Sequence, residues 1–264
     1  MDLIKAIDLG TKAHEQRERR CYIGASNVGN PCHRYLQYSL RGYPQTPFPP
    51  AVLRIFELGH TLENMVVEDL KKAGINVSEV AEDGKQWEYT WLGGHVRGHA
   101  DGVIRSDSGD HIAILEIKSM NDKKWNAFRT QGIRNSHPIY YAQMQLLMGL
   151  SGIHRAWMVA YNKNNSVYHH EEVGFDYHYF RALSHTALSV VRGSSAKRIS
   201  DNPQSFECRY CNYKPNCWPD GQAPLAVNVE CQTCRHAKPT GKRQWLCTLH
   251  GSRATGPCKD WYKL

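Results

Sequence analysis

The cysteines restrict this chain more than any other feature. Nine stand at positions 21, 32, 208, 211, 217, 231, 234, 247 and 258, and the six from 208 to 247 lie within 40 residues. The N-terminal stretch MDLIKAIDLGTKAHEQRERR is charged and amphipathic, without the apolar core or cleavage site of a secretory leader, so a reducing compartment is expected. In that setting thiols at CxxC spacing hold metal rather than pair as disulfides. Cys208-x2-Cys211-x5-Cys217 forms one set, and Cys231-x2-Cys234 with Cys247 and Cys258 downstream forms another. From Pro203 onward the sequence is rich in turns and poor in apolar runs, so metal has to do there what a hydrophobic core does elsewhere.

Charge divides the chain in the same place. Residues 1–191 carry 21 basic and 20 acidic side chains, whereas residues 192–264 carry 12 and 5, so nearly all of the net +8 sits in the last quarter. Such an excess suits a polyanion such as nucleic acid, or else is only a solubilising basic tail. Seven Trp, 14 Tyr and 6 Phe in 264 residues give ample area to bury and exclude a disordered chain. No apolar run approaches the roughly 18–20 residues that cross a bilayer, so no membrane partner is expected and the location should be cytoplasmic.

Periodicity organises the rest. Residues 1–20 read as a helix, CYIGASNVGNPCHRY as irregular, and GYPQTPFPP as a connector. A long helix follows from about Val52 to Ala73, with Val52, Ile55, Phe56, Leu62, Val66 and Leu70 at helical spacing. QWEYTWLGGHVRGHADGVI alternates and reads as strands around a Gly-Gly turn, SDSGD as a loop, and HIAILEIKSM as a strand. After a polar stretch come a helix at PIYYAQMQLLMGL, strands at AWMVAYN and VYHHEEVGF, and a helix from about Tyr177 to Val191. That order predicts a mixed α/β core with a metal-stapled tail. The expected divisions are an N-terminal helix at 1–21, a core at 22–218 and a basic zinc-ribbon-like module at 219–264.

The sharpest chemistry lies in GHADGVI and ILEIKS. On a strand, residues two apart share a face, so Glu116 and Lys118 point one way and Leu115 and Ile117 the other. Arg97, His99 and Asp101 share a face on the preceding segment in the same manner. If the two segments pair, Asp101, Glu116 and Lys118 converge. Two carboxylates can hold a hard divalent cation, and the lysine can orient or deprotonate a water for attack on a phosphodiester. An E-x-K tripeptide by itself is more often a surface ion pair at a strand end.

In combination these residues resemble the PD-(D/E)XK nuclease superfamily, specifically its RecB-like and lambda exonuclease-like branches. FELGHTLENMV resembles the first core helix of those nucleases, YYAQMQLLM the Gln-bearing helix after the E-x-K lysine, SNVGNPCHRYL the opening of the iron–sulfur members, and CRYCNYKPNC their C-terminal cysteine triad. The resemblance covers about residues 22–218. It implies a restriction-endonuclease-like α/β core, with a mixed central sheet flanked by helices and a small Cys-rich metal-binding C-terminal module. It also implies Mg²⁺ or Mn²⁺ held by Asp101, Glu116, the carbonyl of Ile117 and His60. Lys118 would activate water, and Gln143 would hold the lysine or the substrate. Glu63 is either a further participant or the partner of a surface lysine. The sequence departs from the family in having Ala100 where Pro precedes the first Asp. Its Q-x-x-x-Y pattern is also incomplete, because Leu147 follows Gln143 and Gly149 follows Gln145; Gln145 remains a second choice.

The same likeness implies a [4Fe–4S] cluster on Cys32, Cys208, Cys211 and Cys217 that staples the two ends of the core, with zinc on the same thiolates as the alternative. Cys231, Cys234, Cys247 and Cys258 have the form of a zinc site, with His250 a rival for the last position and His236 a further one. Arg235, Lys238, Lys242, Arg243 and Trp245 combine charge with a ring and suit DNA contact; a protein-docking or purely stabilising module is the alternative. Cys21 is left as an ordinary thiol. The expected activity is that of a metal-dependent DNA nuclease, an exonuclease working at DNA ends in recombination or repair, alone or with a partner protein. The alternatives are a non-catalytic DNA-binding or assembly subunit and a structure-specific endonuclease on the same site. A phage or prophage source fits, as does a CRISPR or repair operon.

Overall fold

The structure, a computed structural model, describes residues 1–15, 19–193, 196–218, 225–256 and 258–264. Residues 16–18 of the expected N-terminal helix, and the start of the expected C-terminal module at 219–224, lie outside the described residues. The chain begins with helix α1 (Leu3–Ala13), strand β1 (Ile23–Gly24) and helices α2 (Ala25–Val28), α3 (His33–Leu40) and α4 (Pro50–Lys72). Strands β2 (Val77–Ser78), β3 (Glu88–Trp91), β4 (Val96–His99), β5 (Gly102–Arg105) and β6 (His111–Met120) come next. Helices α5 (Asp122–Ser136) and α6 (Pro138–Ser151), strands β7 (Arg155–Asn162) and β8 (Tyr168–Gly174), and helix α7 (Tyr177–Arg192) follow. The tail carries the short helices α8 (Phe206–Arg209) and α9 (Lys214–Cys217) and the strands β9 (Ala237–Pro239), β10 (Trp245–Cys247) and β11 (Ser252–Arg253). Among the described residues no helix is long and apolar enough to cross a membrane.

These elements form two compact units, one of Met1–Glu18, Pro47–Tyr89 and His99–Tyr177, the other of Arg19–Thr46, Thr90–Gly98 and His178–Leu264. The α/β class and the mixed sheet flanked by helices are as expected. The unit boundaries differ from the expected divisions at 21/22 and 218/219, because the segment carrying Cys32 and the whole Cys-rich tail belong to one unit. Their shared packing gives the reason: Tyr38, Tyr43 and Tyr213 form a buried aromatic cluster against which Val227 and the C-terminal Leu264 pack.

The first unit is built on a five-stranded sheet in the order β2-β5-β6-β7-β8. Its central pair β6–β7 is parallel and the other pairs are antiparallel. Parallel neighbours need a crossover, which α5 and α6 provide. On one face Leu115 and Ile117 of β6 pack with Val66 and Val67 of α4. Burial of apolar side chains at about 25 cal/mol per Å² is what seats this helix on the sheet. Helix α4 spans almost the segment its periodicity predicts, with Pro50 in its first turn.

Three stretches depart from the sequence reading. Helix α1 ends at Ala13 rather than near residue 20, where the backbone N–H and Nδ1 of His14 both reach the carbonyl of Gly10. The polar stretch after β6 is helix α5. Asn121 caps it by accepting from Lys124 N–H at 3.0 Å, and Trp125, Phe128 and Ile133 are its buried residues. It breaks at Gly132 (φ 72°), where Glu171 accepts the Ile133 N–H at 2.8 Å. CYIGASNVGNPCHRY, expected to be irregular, holds β1, α2 and the start of α3. There β1 runs parallel to β4 (Ile23↔Val96), and Cys32 is the cap residue of α3.

Candidate active site and metal centres

Strand β5 gives out where the chemistry begins. Its first residue, Gly102, is the register partner of Leu115, and beyond that point β6 runs on past it. Asp101 takes over the role of a strand neighbour, with Oδ2 accepting the Ile117 N–H at 2.7 Å. Asp101, Glu116 and Lys118 are thereby brought together, although Asp101 lies between β4 and β5 rather than on one strand with Arg97 and His99, and of those two strands only β5 pairs with β6. Lys118 Nζ lies 2.6 Å from Glu116 Oε1 and 3.8 Å from Asp101 Oδ2, and donates to the Ile117 carbonyl at 2.8 Å. The ammonium thus stands among the three oxygen groups expected to hold a cation. Tyr140, unforeseen in the sequence, covers this lysine with its ring centroid 5.7 Å from Nζ. Its signal was its place one helical turn before Gln143 on α6.

Glu116 is wholly buried. Gln143 Nε2 donates to its Oε2 at 2.7 Å, while Oε1 has the Lys118 ion pair but no well-directed hydrogen bond. Gln143 therefore holds the glutamate rather than the lysine. Burial is the largest influence on Glu116 and pushes its carboxyl up to about 8, with Lys118 pulling the other way. For Lys118 burial disfavours the charge, but Glu116 and Asp101 together outweigh it and raise the ammonium. The buried Glu116 carboxyl, the Asp101 carboxylate and the Ile117 carbonyl, with the Lys118 ammonium among them, make an all-oxygen set. That set fits a hard divalent cation such as Mg²⁺ or Mn²⁺.

Glu63 and His60 lie on α4. Glu63 is half-buried; its carboxyl is raised first by burial and then by the charge of Asp101, with Lys118 opposing, so it shares the field of the cluster. His60 is 81% exposed, and its Nδ1 lies 3.3 Å from Glu63 Oε2. Among the described residues it reaches the cluster only through that glutamate. Gln145 is fully buried and serves the fold instead. Its Nε2 donates to the Gly174 carbonyl and its Oε1 accepts the Asp176 N–H, fixing the end of β8. It is a structural tie, which separates it from Gln143.

The second unit gathers the cysteines. Burial pushes the Cys211 thiol up to about 11, and the neighbouring Cys32, Cys217 and Cys208 add to the rise, so the four expected ligands share one neighbourhood. Cys231, Cys234, Cys247 and Cys258 line a single cavity of about 20 Å³ together with His236, His250 and Asp260, enough for about one ion or one water. His250 Nε2 is 3.8 Å from Cys258 Sγ and 3.3 Å from Asp260 Oδ2, so both rivals for the last ligand position stand at the same place. Cys21 stays apart from both sets, its sulfur accepting from Gln232.

Arg235, Lys238, Lys242 and Arg243 are exposed. Trp245, expected as a stacking ring for bases, is only 7% exposed. Its ring lies 5.4 Å from that of His95 and 5.1 Å from the Arg41 guanidinium, so its face is spent on packing and it leaves the DNA-contact set.

No family model matches the sequence, and no curated protein matches it either. Among solved structures the chain is similar to LHK-Exo in complex with dAMP, with 19% identity and a TM-score of 0.48 over 65% of this chain and 87% of that one. It is also similar to an alkaline exonuclease (LHK-Exo) from Laribacter hongkongensis, with 16% identity and a TM-score of 0.47 over 70% and 90% of the two chains. A third similarity is to SSO0001, with 16% identity and a TM-score of 0.46 over 86% and 98%.

Proposed function

We propose that this protein is a metal-dependent deoxyribonuclease that hydrolyses phosphodiester bonds as an exonuclease at DNA ends. The observation that carries the reading is the convergence of Asp101, Glu116 and the Ile117 carbonyl around Lys118 Nζ. Asp101, Glu116 and Ile117 O would hold Mg²⁺ or Mn²⁺, with Glu63, or His60 through it, as a further contributor. When bound, the cation supplies Lewis acidity toward the phosphate oxygen and lowers the pKa of water. Lys118 orients the attacking water by hydrogen bonding from its ammonium, and Gln143 keeps Glu116 facing the site. Tyr140 limits where the lysine can swing.

Two further centres belong to this reading: a [4Fe–4S] cluster on Cys32, Cys208, Cys211 and Cys217, and zinc on Cys231, Cys234, Cys247 and either Cys258 or His250. Supporting them are the nearness of Cys32, Cys208 and Cys217 to Cys211, whose thiol they help to raise, and the small cavity lined by the second set. Both are stabilising roles, and DNA is the partner throughout.

The test is cleavage of end-labelled single- and double-stranded DNA and of a closed circle, with and without Mn²⁺, by wild type and Lys118→Ala purified without oxygen. Metal-dependent loss of linear DNA, absent in the variant, with the circle intact, is the expected result. Cleavage of the circle would make the protein an endonuclease. Intact DNA in every tube from folded protein would end the catalytic reading and leave a DNA-binding subunit.

A further inference from the structure

The C-terminal sheet presents a charged face that the proposed hydrolysis does not use. Strands β9, β10 and β11 form a three-stranded antiparallel sheet in which Lys238 and Arg253 are both register partners of Leu246. Cross-strand partners stand on one face, so these three side chains form a row, and all three are exposed. The alternate positions Ala237 and Trp245 supply the buried face, at 2% and 7% exposure. Folding therefore uses one side of this sheet and leaves the basic side to solvent.

The turn between β9 and β10 adds a second observation. Gln244 N–H donates to the Gly241 carbonyl at 3.2 Å, and the two residues between them, Lys242 and Arg243, have φ of 55° and 57°. That is a type I′ turn, which favours Asn-Gly because both central residues must be left-handed. Long side chains bearing a Cβ are strained there. The surroundings enforce the shape: Arg243 N–H donates to the Gly93 carbonyl at 2.7 Å, and a Cβ on Gly93 would lie 2.8 Å from Gly241 Cα. Arg243 also lies over Gly94, where a Cβ would meet its Cγ and Nε at 2.9 Å, so the fold itself holds this strained basic pair at an exposed tip. Residues 235–264 hold seven basic side chains and one acidic one, Asp260, which lies 3.3 Å from His250.

We propose that this hairpin, with Lys242 and Arg243 at its tip and Lys238 and Arg253 on its exposed face, grips the phosphate backbone of DNA through residues that take no part in the hydrolysis. The identity of the polyanion rests on the nuclease reading. The burial of Trp245 makes the grip one of charge rather than of base stacking, so it is indifferent to sequence.

The experiment measures binding of a labelled duplex with single-stranded ends across a salt series. It uses the Lys118→Ala background without added divalent metal, so that the DNA stays intact. Lys242→Asn/Arg243→Gly installs the pair this turn prefers while giving up the Arg243 contact over Gly94, so the protein stays folded in a melting experiment while affinity falls and the log–log salt slope becomes shallower by about 2. Lys238→Gln/Arg253→Gln produces the same loss without touching the turn. Lys5→Gln/Lys12→Gln removes equal charge from α1 and keeps the parental slope. Parental affinity and slope in both the tip and the sheet variants overturn the inference, as does an equal loss in the α1 control. Failure of the parent protein to bind DNA at all would sink the nuclease reading itself. A parent that binds, beside a wild type that cuts, with hairpin variants unchanged, would remove only the hairpin.

Discussion

Lys118 has opposing effects on the site around it. Its ammonium orients water in the proposed reaction, yet it also stands among the oxygens that would take the cation. Lys118→Ala is therefore expected to abolish cleavage while Mn²⁺ binds at least as tightly as in wild type, read by titration calorimetry. Loss of Mn²⁺ binding in that variant would show that the lysine organises the ligands instead of competing with the ion. Glu116 adds a pH dependence. Its carboxyl sits at about 8 in the folded protein against an ordinary 4.5, so between those values the folded state keeps a proton that the unfolded chain has released. Its contribution to stability is full below about 4.5, declines as pH rises toward 8, and changes no further above it. Thermal melts of metal-free wild type and Glu116→Gln should diverge across that window, with the variant lacking this share of the decline. Parallel curves would mean that Glu116 is not so raised. Glu63 and His60 are ranked by exposure: Glu63→Gln should slow cleavage and weaken Mn²⁺ binding more than His60→Ala does, and the reverse order would restore His60 as the direct ligand.

Helix α3 is the element that joins the two cysteine sets. It starts directly after Cys32, and Arg41 lies just beyond its last residue. Arg41, 1% exposed, donates to the carbonyls of Gln232, Cys234 and Ala237 at 3.0, 2.8 and 2.9 Å, clamping the CxxC turn. Burial pulls its guanidinium down to about 10, which leaves it charged at neutral pH. Arg41→Met would strand three carbonyls at roughly 1 kcal/mol or more each, lowering the melting temperature by several degrees, with zinc lost at lower chelator concentration. Arg41→Lys should not restore it, because a point charge cannot span three acceptors as the planar fork does. Melting and zinc retention like wild type in Arg41→Met would show that the clamp is dispensable. Such a link was illegible in the sequence, since it joins residues from opposite ends of the chain. Strand β6 was legible because HIAILEIKSM has β-branched residues and a carboxylate–lysine pair on one face, α4 because its apolar residues repeat at helical spacing, and α6 only as an apolar run, since its buried residues follow one another without a break from Tyr141 to Met148. Helix α5 was not, since only Trp125, Phe128 and Ile133 are buried along its length and Gly132 interrupts it. The burial of Trp245 was equally hidden, for its partners Arg41 and His95 come from distant segments.

At the scale of the whole molecule, the two units are held by different physics. The first has a sheet packed by aliphatic side chains from α4, which is enough for a stable core. The second also buries aliphatic residues such as Ile23, Leu36, Leu40 and Val96, but its tail rests on the Tyr38–Tyr43–Tyr213 cluster, ion pairs such as Arg19–Glu230, and eight cysteines in two sets. With so little aliphatic packing around the tail, metal binding becomes folding free energy there. Protein purified without oxygen should accordingly carry iron, with broad visible absorbance, and one zinc per chain, both read by elemental analysis. Cys208→Ser should lose the iron and the colour, whereas Cys234→Ser should lose the zinc. Colourless protein carrying two zinc ions would replace the iron–sulfur assignment with a second zinc site on the same thiolates. Chelation that strips the zinc should lower the melting transition while the circular-dichroism signal of the first unit's helices persists to higher temperature. The physical reason is that α4 is seated on its sheet by aliphatic side chains of the first unit, a packing that does not depend on a metal. A single transition, unchanged by chelation, would mean that the tail is stabilised by its aromatic cluster and hydrogen bonds alone.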